Sequence, residues 1–248
     1  MKKKLTITIA SILSVIVIIG VGFAAWVITN PNVTTSQNGT ISVETVTDKS
    51  YTLTAKIAES DKTIVFGKPA NATTEGKWFT FDSSTKEEKL EATLTLTLNY
   101  NNLADVGEIT FKMETLKDSG ADNTFKELVD GGYIVNPTIS YKGNAETYTA
   151  ITEEGKTVFT GLTVPKDAFK ETTTPAESAM SVKTATIKIT FGWGDHFKVE
   201  QTNVNPFDFY NAKTYTDGHD DAVESLTKLA KLNGVNYKVT VTGTTAAA

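Results

Sequence analysis

The chain has 248 residues with 24 basic and 29 acidic side chains, a net charge of −5 and no cysteine. Without cysteine there is no disulfide scaffold, thiolate metal site, cysteine nucleophile or lipoprotein anchor, and the acidic balance argues against nucleic acid as a partner. Every basic residue is lysine, which excludes catalysis that depends on bidentate guanidinium clamps.

The N-terminus has the organisation of an export signal. Lys2, Lys3 and Lys4 precede an apolar stretch centred on residues 12–21, and small residues follow it. This pattern predicts a hydrophobic signal helix over residues 1–24, cut by a signal peptidase between Ala24 and Ala25. The alternative is an uncleaved membrane anchor that extends to about Ile28. In both cases the lysines hold the N-terminus inside, so the remainder passes the membrane to the cell surface or beyond.

A polar leader, residues 25–39, precedes the first β-prone segment of the exported part. That segment, residues 40–46, contains Thr40, Ile41, Val43 and Val46. A strand near a chain end can pair with the sheet edge of another molecule, with backbone hydrogen bonds providing the affinity. The other interpretation is that it pairs within its own domain.

The rest of the chain is dominated by alternating strand patterns, which threonine, the most frequent residue type, also favours. Residues 90–100 alternate apolar and polar positions without interruption, which indicates a strand with one wet face. Further strands are predicted at 51–57, 109–113, 185–193 and 237–241, with weaker ones at 63–66, 77–81, 133–141, 148–151 and 157–164. Residues 169–181 are predicted to be a surface loop. With no βα alternation, this pattern predicts an all-β, antiparallel, jelly-roll-like β-sandwich as one domain over residues 40–248.

One helix is predicted, at about residues 221–233. Asp221 would cap its start, Asn233 and Gly234 would end it, and its apolar residues form one stripe. Such a helix either covers an open end of the sandwich or binds a partner.

The sequence contains few groups able to support catalysis. Neither a His-Glu-x-x-His helix nor a Gly-x-Ser-x-Gly turn is present. The acidic and histidine residues Asp195, His196, Asp217 and His219 could supply oxygen and imidazole ligands to Ca²⁺ or a transition metal. The next two residues, Asp220 and Asp221, could instead lie at the N-terminus of a helix. No cofactor is predicted.

Aromatic residues suggest a second kind of site. Trp78, Phe79, Phe207, Phe209 and Tyr210 could form an exposed platform for a glycan or a cell-wall fragment. The run at residues 207–210 could equally close one end of the sandwich. Exposure of these side chains distinguishes the two interpretations.

The N-terminal region resembles the TasA and camelysin group of exported proteins from Gram-positive bacteria. The resemblance lies in residues 2–5, the apolar run, residues 20–26 (Gly-Val-Gly-Phe-Ala-Ala-Trp) and residues 38–43 (Asn-Gly-Thr-Ile-Ser-Val). It implies cleavage near Ala24 by a dedicated, SipW-like signal peptidase, a jelly-roll-like sandwich, and a biofilm-matrix or surface role with fibres built by N-terminal strand donation. Pro31 departs from the pattern of the group. The metalloprotease label of camelysin-like proteins is not transferred, because no zinc motif is present.

Three function classes follow from these observations. The favoured class is a structural component of the cell surface or extracellular matrix, without enzymatic activity, that associates with itself or with another matrix protein. The second is a surface adhesin or a module that binds glycans or cell walls. The third, an exported enzyme, requires several acids to converge in one cleft.

Overall fold

The structure, a computed structural model, describes residues 15–22, 26–27, 51–70, 72, 80–81, 85–116, 124–142, 146–173, 180–212, 218–232 and 235–246. These residues contain fifteen β-strands and three α-helices. The strands are β1 (Val15–Gly22), β2 (Trp26–Val27), β3 (Tyr51–Ile57), β4 (Thr63–Val65), β5 (Thr80–Phe81), β6 (Glu91–Tyr100), β7 (Val106–Leu116), β8 (Thr138–Lys142), β9 (Tyr148–Ile151), β10 (Leu162–Thr163), β11 (Lys170–Thr173), β12 (Ser181–Thr190), β13 (Lys198–Val199), β14 (Thr202–Asn203) and β15 (Asn236–Thr245). The helices are α1 (Thr124–Asp130), α2 (Pro206–Ala212) and α3 (Gly218–Leu229).

Two main sheets contain most of the strands. One has the order β10-β7-β15-β1-β4, and the other has the order β3-β6-β12-β8-β9 with β11 also paired to β12. The short pairs β13-β14 and β2-β5 stand apart. All the pairings between these strands are antiparallel except that of β1 with β4, which is parallel, as is the isolated bridge between Lys68 and Glu87. The expectation of a mostly antiparallel β-protein is therefore confirmed.

The alternating sequence of β6 explains its place in the second sheet. Ala92, Leu94, Leu96 and Leu98 are at most 1% exposed, whereas the threonines between them lie on the opposite face. A strand with one apolar and one polar face is stable where one face covers a core. The predictions for 51–57 and 148–151 match β3 and β9, and those for 109–113 and 237–241 lie within β7 and β15.

The apolar residues of both main sheets belong to one core. Phe191, which follows β12, packs against Tyr237 of β15 with ring centroids 5.0 Å apart. A methyl group placed at Gly243 would lie 2.9 Å from the hydroxyl oxygen of Tyr51, so the first residue of β3 packs closely against β15. Glycine at this position permits that close approach.

The prediction of a single helix was wrong. The structure has α1 and α2 in addition to α3, and both of them lack the long apolar periodicity on which the sequence prediction relied. α3 begins at Gly218, so Asp221 lies inside the helix and is not its N-terminal cap. The predicted stop at residues 233–234 lies outside the described residues.

The prediction of an N-terminal hydrophobic helix was also wrong for its described residues, 15–22. Residues 15–22 form the strand β1 in the first sheet, so the sheet includes part of the predicted signal segment, residues 1–24. β-branched residues fill most of this segment, and they favour an extended backbone beside other strands. Residues 1–14 and 23–25 lie outside the described part. Among the described residues, no helix is both long and apolar enough to cross a membrane.

Several weaker strand predictions were too long. The segment 133–141 is a strand only from Thr138, because a bend at Tyr133 and an isolated bridge at Ile134 precede it. The segment 157–164 is a strand only at Leu162–Thr163, because a turn occupies residues 158–160. Conversely, the predicted loop 169–181 contains β11, which pairs with β12. Only residues 80–81 of the predicted strand 77–81 are described.

Candidate functional site

Strand β15 is paired along both edges. On one edge it pairs with β7 along almost its full length. On the other edge, Asn236–Val241 pairs with β1, and the far edge of β1 pairs with Thr63–Val65 of β4. We call the one-strand position between β15 and β4 the strand seat; residues 236–241 and 63–65 form its two sides.

The strand seat has an apolar face and a polar face. Tyr237, Val239 and Val241 of β15 are 0% exposed, whereas the intervening Lys238 and Thr240 are half-buried. Side chains of successive strand residues point to opposite faces. A strand with alternating apolar and polar residues therefore matches the β15 side of the strand seat, whereas Ile64 and Val65 on the β4 side are both buried.

The strand β1 matches only one of these faces. Its register places Val15, Val17 and Ile19 opposite the three buried residues of β15, and Ile16 and Ile18 opposite Thr240 and Lys238. Residues directly opposed in an antiparallel pair share a face of the sheet. The all-apolar sequence of β1 thus places isoleucine positions on the polar face.

The other residues predicted to act in export or assembly lie outside the described residues. These are Ala24 and Ala25 at the predicted cleavage site, and Thr40, Ile41, Val43 and Val46 in the predicted donor strand. Both assignments remain predictions.

A polar cluster joins α3 to the loop that contains His196. The Nε2 atom of His196 lies 3.0 Å from Ser225 Oγ, and the His196 ring packs on the Tyr133 ring with centroids 4.5 Å apart. The Tyr210 hydroxyl lies 2.9 Å from Ser225 Oγ and 3.1 Å from Asp221 Oδ2. These contacts attach both α2 and α3 to the end of the sheets.

Serine, histidine and aspartate meet in this cluster, but not in the geometry of a hydrolase triad. Asp221 Oδ1 is 3.9 Å from the same Nε2 atom that contacts Ser225. In a triad the acid instead orients the histidine through its other ring nitrogen. Ser225 is also only 1% exposed. The cluster therefore stabilises the packing of the helices and does not present a nucleophile.

Burial and ion pairing shape the electrostatics around α3. Burial raises the pKa of the Tyr210 phenol, so this group stays protonated at neutral pH. The hydrogen bond from Lys228 lowers the pKa of the Glu224 carboxyl. Hydrogen bonds to Glu224 and then to Tyr133 raise the pKa of Lys228, whose Nζ is 2.8 Å from the Tyr133 hydroxyl. The hydrogen bond from Lys228 to Tyr133 holds α3 beside the loop at residue 133, whereas Glu224 lies on α3 itself.

The predicted metal ligands are only partly described. Asp195 is exposed and lies 3.8 Å from Lys198 Nζ, whereas His196 contacts Ser225. Asp217 and the side chain of His219 lie outside the described part. Within the part of the chain that the structure describes, no group of three histidine or acidic residues is placed to hold a metal ion. Metal binding by the four residues remains an untested prediction.

The prediction of an exposed aromatic platform was wrong for the three of its residues that the structure describes. Phe207, Phe209 and Tyr210 belong to α2 and are 6%, 3% and 0% exposed. Their rings pack against the core, and Asn205 Oδ1 accepts a hydrogen bond from Phe207 N at 3.0 Å. Trp78 and Phe79 lie outside the described residues.

A cleft of about 580 Å³ opens between β7, α1 and the turn near residue 159. Phe125, Val129 and Phe159 line it, and an ion pair of 3.2 Å between Lys112 and Glu114 forms part of its rim. Sequence reasoning missed this cleft because it missed α1. A signal was available: Phe125, Leu128 and Val129 have helical spacing, and Gly131 follows them.

Comparison of the chain with protein-family models, with curated proteins and with solved structures gives no match.

Proposed function

We propose that this chain is an exported structural protein of the cell surface or extracellular matrix, without enzymatic activity, that self-associates by exchange of an N-terminal strand between jelly-roll-like sandwiches. The observation that carries the proposal is the strand seat. An N-terminal segment that precedes the predicted cleavage site is the strand between β15 and β4. If Ala24 is the last residue removed, the exported chain has lost this strand and must fill the position in another way.

Export is part of the same proposal. The lysines at positions 2–4 and the apolar segment after them direct the chain to the membrane, and a signal peptidase cuts after Ala24. The partners are the signal peptidase, the membrane during export, and further copies of the chain or another matrix protein. Nucleic acid is not a partner of this acidic chain.

The surface chemistry supports a structural role. The outer face of the second sheet carries threonines in register, with Thr97 paired to both Thr54 and Thr184. Short uncharged polar residues keep such a face soluble without forming a charged cleft. They suit a subunit whose specific contacts are made by backbone pairing.

Intact mass of the exported protein, followed by size-exclusion chromatography and electron microscopy of the same sample, tests the proposal. We expect a mass that begins at Ala25 together with filaments or large oligomers. A full-length mass in the membrane fraction, or a cut chain that stays monomeric at high concentration, would contradict it.

The donor strand can be tested separately. Substituting Ile41→Asn and Val43→Asn removes the apolar positions of the predicted donor strand, and we expect assembly to be lost. Thr34→Asn with Thr35→Asn, in the polar leader, is the matched control and should assemble normally. Normal assembly of the Ile41 and Val43 variant would exclude this segment as the donor.

The cleft beside α1 favours a second candidate function, that of a surface adhesin or glycan-binding module. Its volume falls within the range of ligand sites, and its aromatic lining with a polar rim is suited to a sugar ring. Binding of cell-wall glycan fragments by the native chain, lost in Phe159→Ala and kept in Tyr148→Ala, would support this function. Equal binding by both variants would exclude the cleft as the site.

A further inference from the structure

We propose that the strand β1, which belongs to the predicted signal segment 1–24, is an intramolecular plug that occupies the strand seat until cleavage and so prevents a second copy from inserting its strand 40–46. The proposal rests on the proposed function and adds its regulation. The uncut chain is then unable to assemble, and removal of residues 1–24 switches assembly on.

The strand seat admits one strand only. In the sheet order β10-β7-β15-β1-β4, β1 uses the second edge of β15 and an edge of β4 at the same time. Neighbouring strands are about 4.8 Å apart, so no further strand fits between β1 and either partner. The strand seat can therefore hold either β1 or a donor strand, but not both.

Residues 41–44 match the two faces of β15 more fully than β1 does, whereas Thr45 would lie opposite the buried Tyr237. Ile41 and Val43 alternate with Ser42 and Glu44. When Ile41 takes the position of Val15 in the same direction, Ile41 and Val43 come opposite the buried Val241 and Val239.

In this register the polar residues of the donor come opposite the polar residues of β15. Ser42 would lie opposite Thr240, and Glu44 opposite Lys238. A glutamate and a lysine directly opposed in an antiparallel pair attract each other. The exchange thus replaces two isoleucine positions on the polar face by polar residues.

The position of β3 favours a donor from another copy. The ring of Tyr51, the first residue of β3, packs against Gly243, beyond the Val241 end of the strand seat. A strand 40–46 in the direction of β1 would instead end beside Asn236 and Thr63, at the opposite end.

Only residues 47–50 are left to return from Val46 to Tyr51. Five Cα–Cα steps span at most about 18 Å. The return must cover about 17 Å along the strand seat and then the step across to β3. Residues 47–50 would have to be fully extended to make it, which favours a donor from another copy while β3 stays in place.

A disulfide lock in the full chain tests the plug, because the native chain has no cysteine. A protease site is inserted between Ala24 and Ala25, and Ile16→Cys is combined with Thr240→Cys, a directly opposed pair in the register. After cutting, the oxidised chain should remain monomeric by size-exclusion chromatography and electron microscopy. Addition of a reductant should then start filament formation, which shows that the locked chain was correctly folded. Chains with only one of the two cysteines should assemble on cutting under both conditions.

The results separate the two proposals. Equal assembly of the uncut chain and the cut chain, or equal assembly of the oxidised and reduced cut chain, overturns the plug but leaves self-association in place. A cut, unlocked chain that stays monomeric at high concentration overturns the proposed function and the plug with it. Assembly that requires both cutting and an open lock supports both.

Discussion

Tyr237 carries a hydroxyl group in an apolar part of the core. The residue is 0% exposed, and its hydroxyl has no hydrogen-bond partner among the described residues. A buried polar group without a partner lowers stability by about 1–3 kcal/mol. We therefore expect Tyr237→Phe to leave the free energy of unfolding of the uncut chain unchanged or to raise it by about 1 kcal/mol. Urea denaturation followed by circular dichroism measures this.

Tyr210→Phe is the matched comparison, since the Tyr210 hydroxyl contacts Ser225 and Asp221. Its removal should lower the free energy of unfolding by about 1–2 kcal/mol. Equal losses in the two variants would show that the surroundings of the two hydroxyls do not differ in this way.

The same two phenols predict a loss of stability at alkaline pH. Burial raises the pKa of Tyr210 and of Tyr237, so the folded chain keeps protons that the unfolded chain releases near pH 10. Stability from this source is complete below about pH 10 and is lost as the pH rises further, by up to about 1.4 kcal/mol per pH unit for each group. Urea denaturation between pH 8 and 11 should show a shallower decline for Tyr237→Phe than for the native chain. An equally steep decline in Tyr237→Phe and in the native chain would contradict a raised pKa of Tyr237 as a cause of the loss.

Individual elements differ in how well the sequence predicts them. β6 was predicted almost to the residue because its alternation coincides with one buried and one wet face. β1 was not, because an unbroken apolar run has no period that distinguishes a buried strand from a signal helix. α1 and α2 were missed because each has only seven residues, too few to show helical periodicity without attention to their ends.

The start of α2 provides a test of such a missed signal. Asn205 accepts a hydrogen bond from Phe207 N at 3.0 Å and donates one to Gly67 O at 2.8 Å, so it caps the helix and joins it to the chain after β4. Asn205→Ala should lower the free energy of unfolding by about 1–3 kcal/mol. Asn99→Ala, at a half-buried strand position, is the control and should lower it by less. Similar losses of unfolding free energy in the two variants would show that Asn205 does not stabilise α2 more than an ordinary half-buried asparagine stabilises a strand.

The proposed register of the donor strand makes a prediction at the level of the strand pair. Glu44→Lys would bring two lysines face to face in the strand seat and should slow assembly of the cut chain several-fold, since such pairs contribute roughly 0.2–1 kcal/mol. Lys238 also pairs with Glu114 on β7 at 3.9 Å. Combining Glu44→Lys with Lys238→Glu and Glu114→Gln therefore restores one opposite-charge pair without setting two carboxylates against each other, and it should restore the rate. The rate is measured by light scattering with electron microscopy of the end point. A triple variant as slow as Glu44→Lys alone would exclude this register.

At the scale of the molecule, the fold class was predictable but the strand seat was not. Alternation is a local property, and it indicated an antiparallel β-protein from many separate segments. The strand seat depends on pairing between residues more than 200 positions apart, such as Val15 and Val241. Nothing in either segment specifies its partner, because apolar strands of similar length are interchangeable in sequence. The His196 cluster was hidden for the same reason, since Ser225 and Tyr133 join it from other elements.

Loss of β1 should make the stability of the molecule depend on its concentration. An empty strand seat leaves unpaired backbone groups on β15 and β4 and uncovers residues such as Val239, which is 0% exposed when β1 is present. We expect the dilute cut chain, freed of residues 1–24, to have a lower Tm than the uncut chain. Its Tm should rise with protein concentration, because association with a second copy stabilises the folded state by mass action. Differential scanning fluorimetry over a hundredfold range of concentration measures this, and the uncut chain, with its strand seat filled, should keep one Tm throughout. A cut chain with the Tm of the uncut chain at every concentration would show that the strand seat contributes nothing to stability.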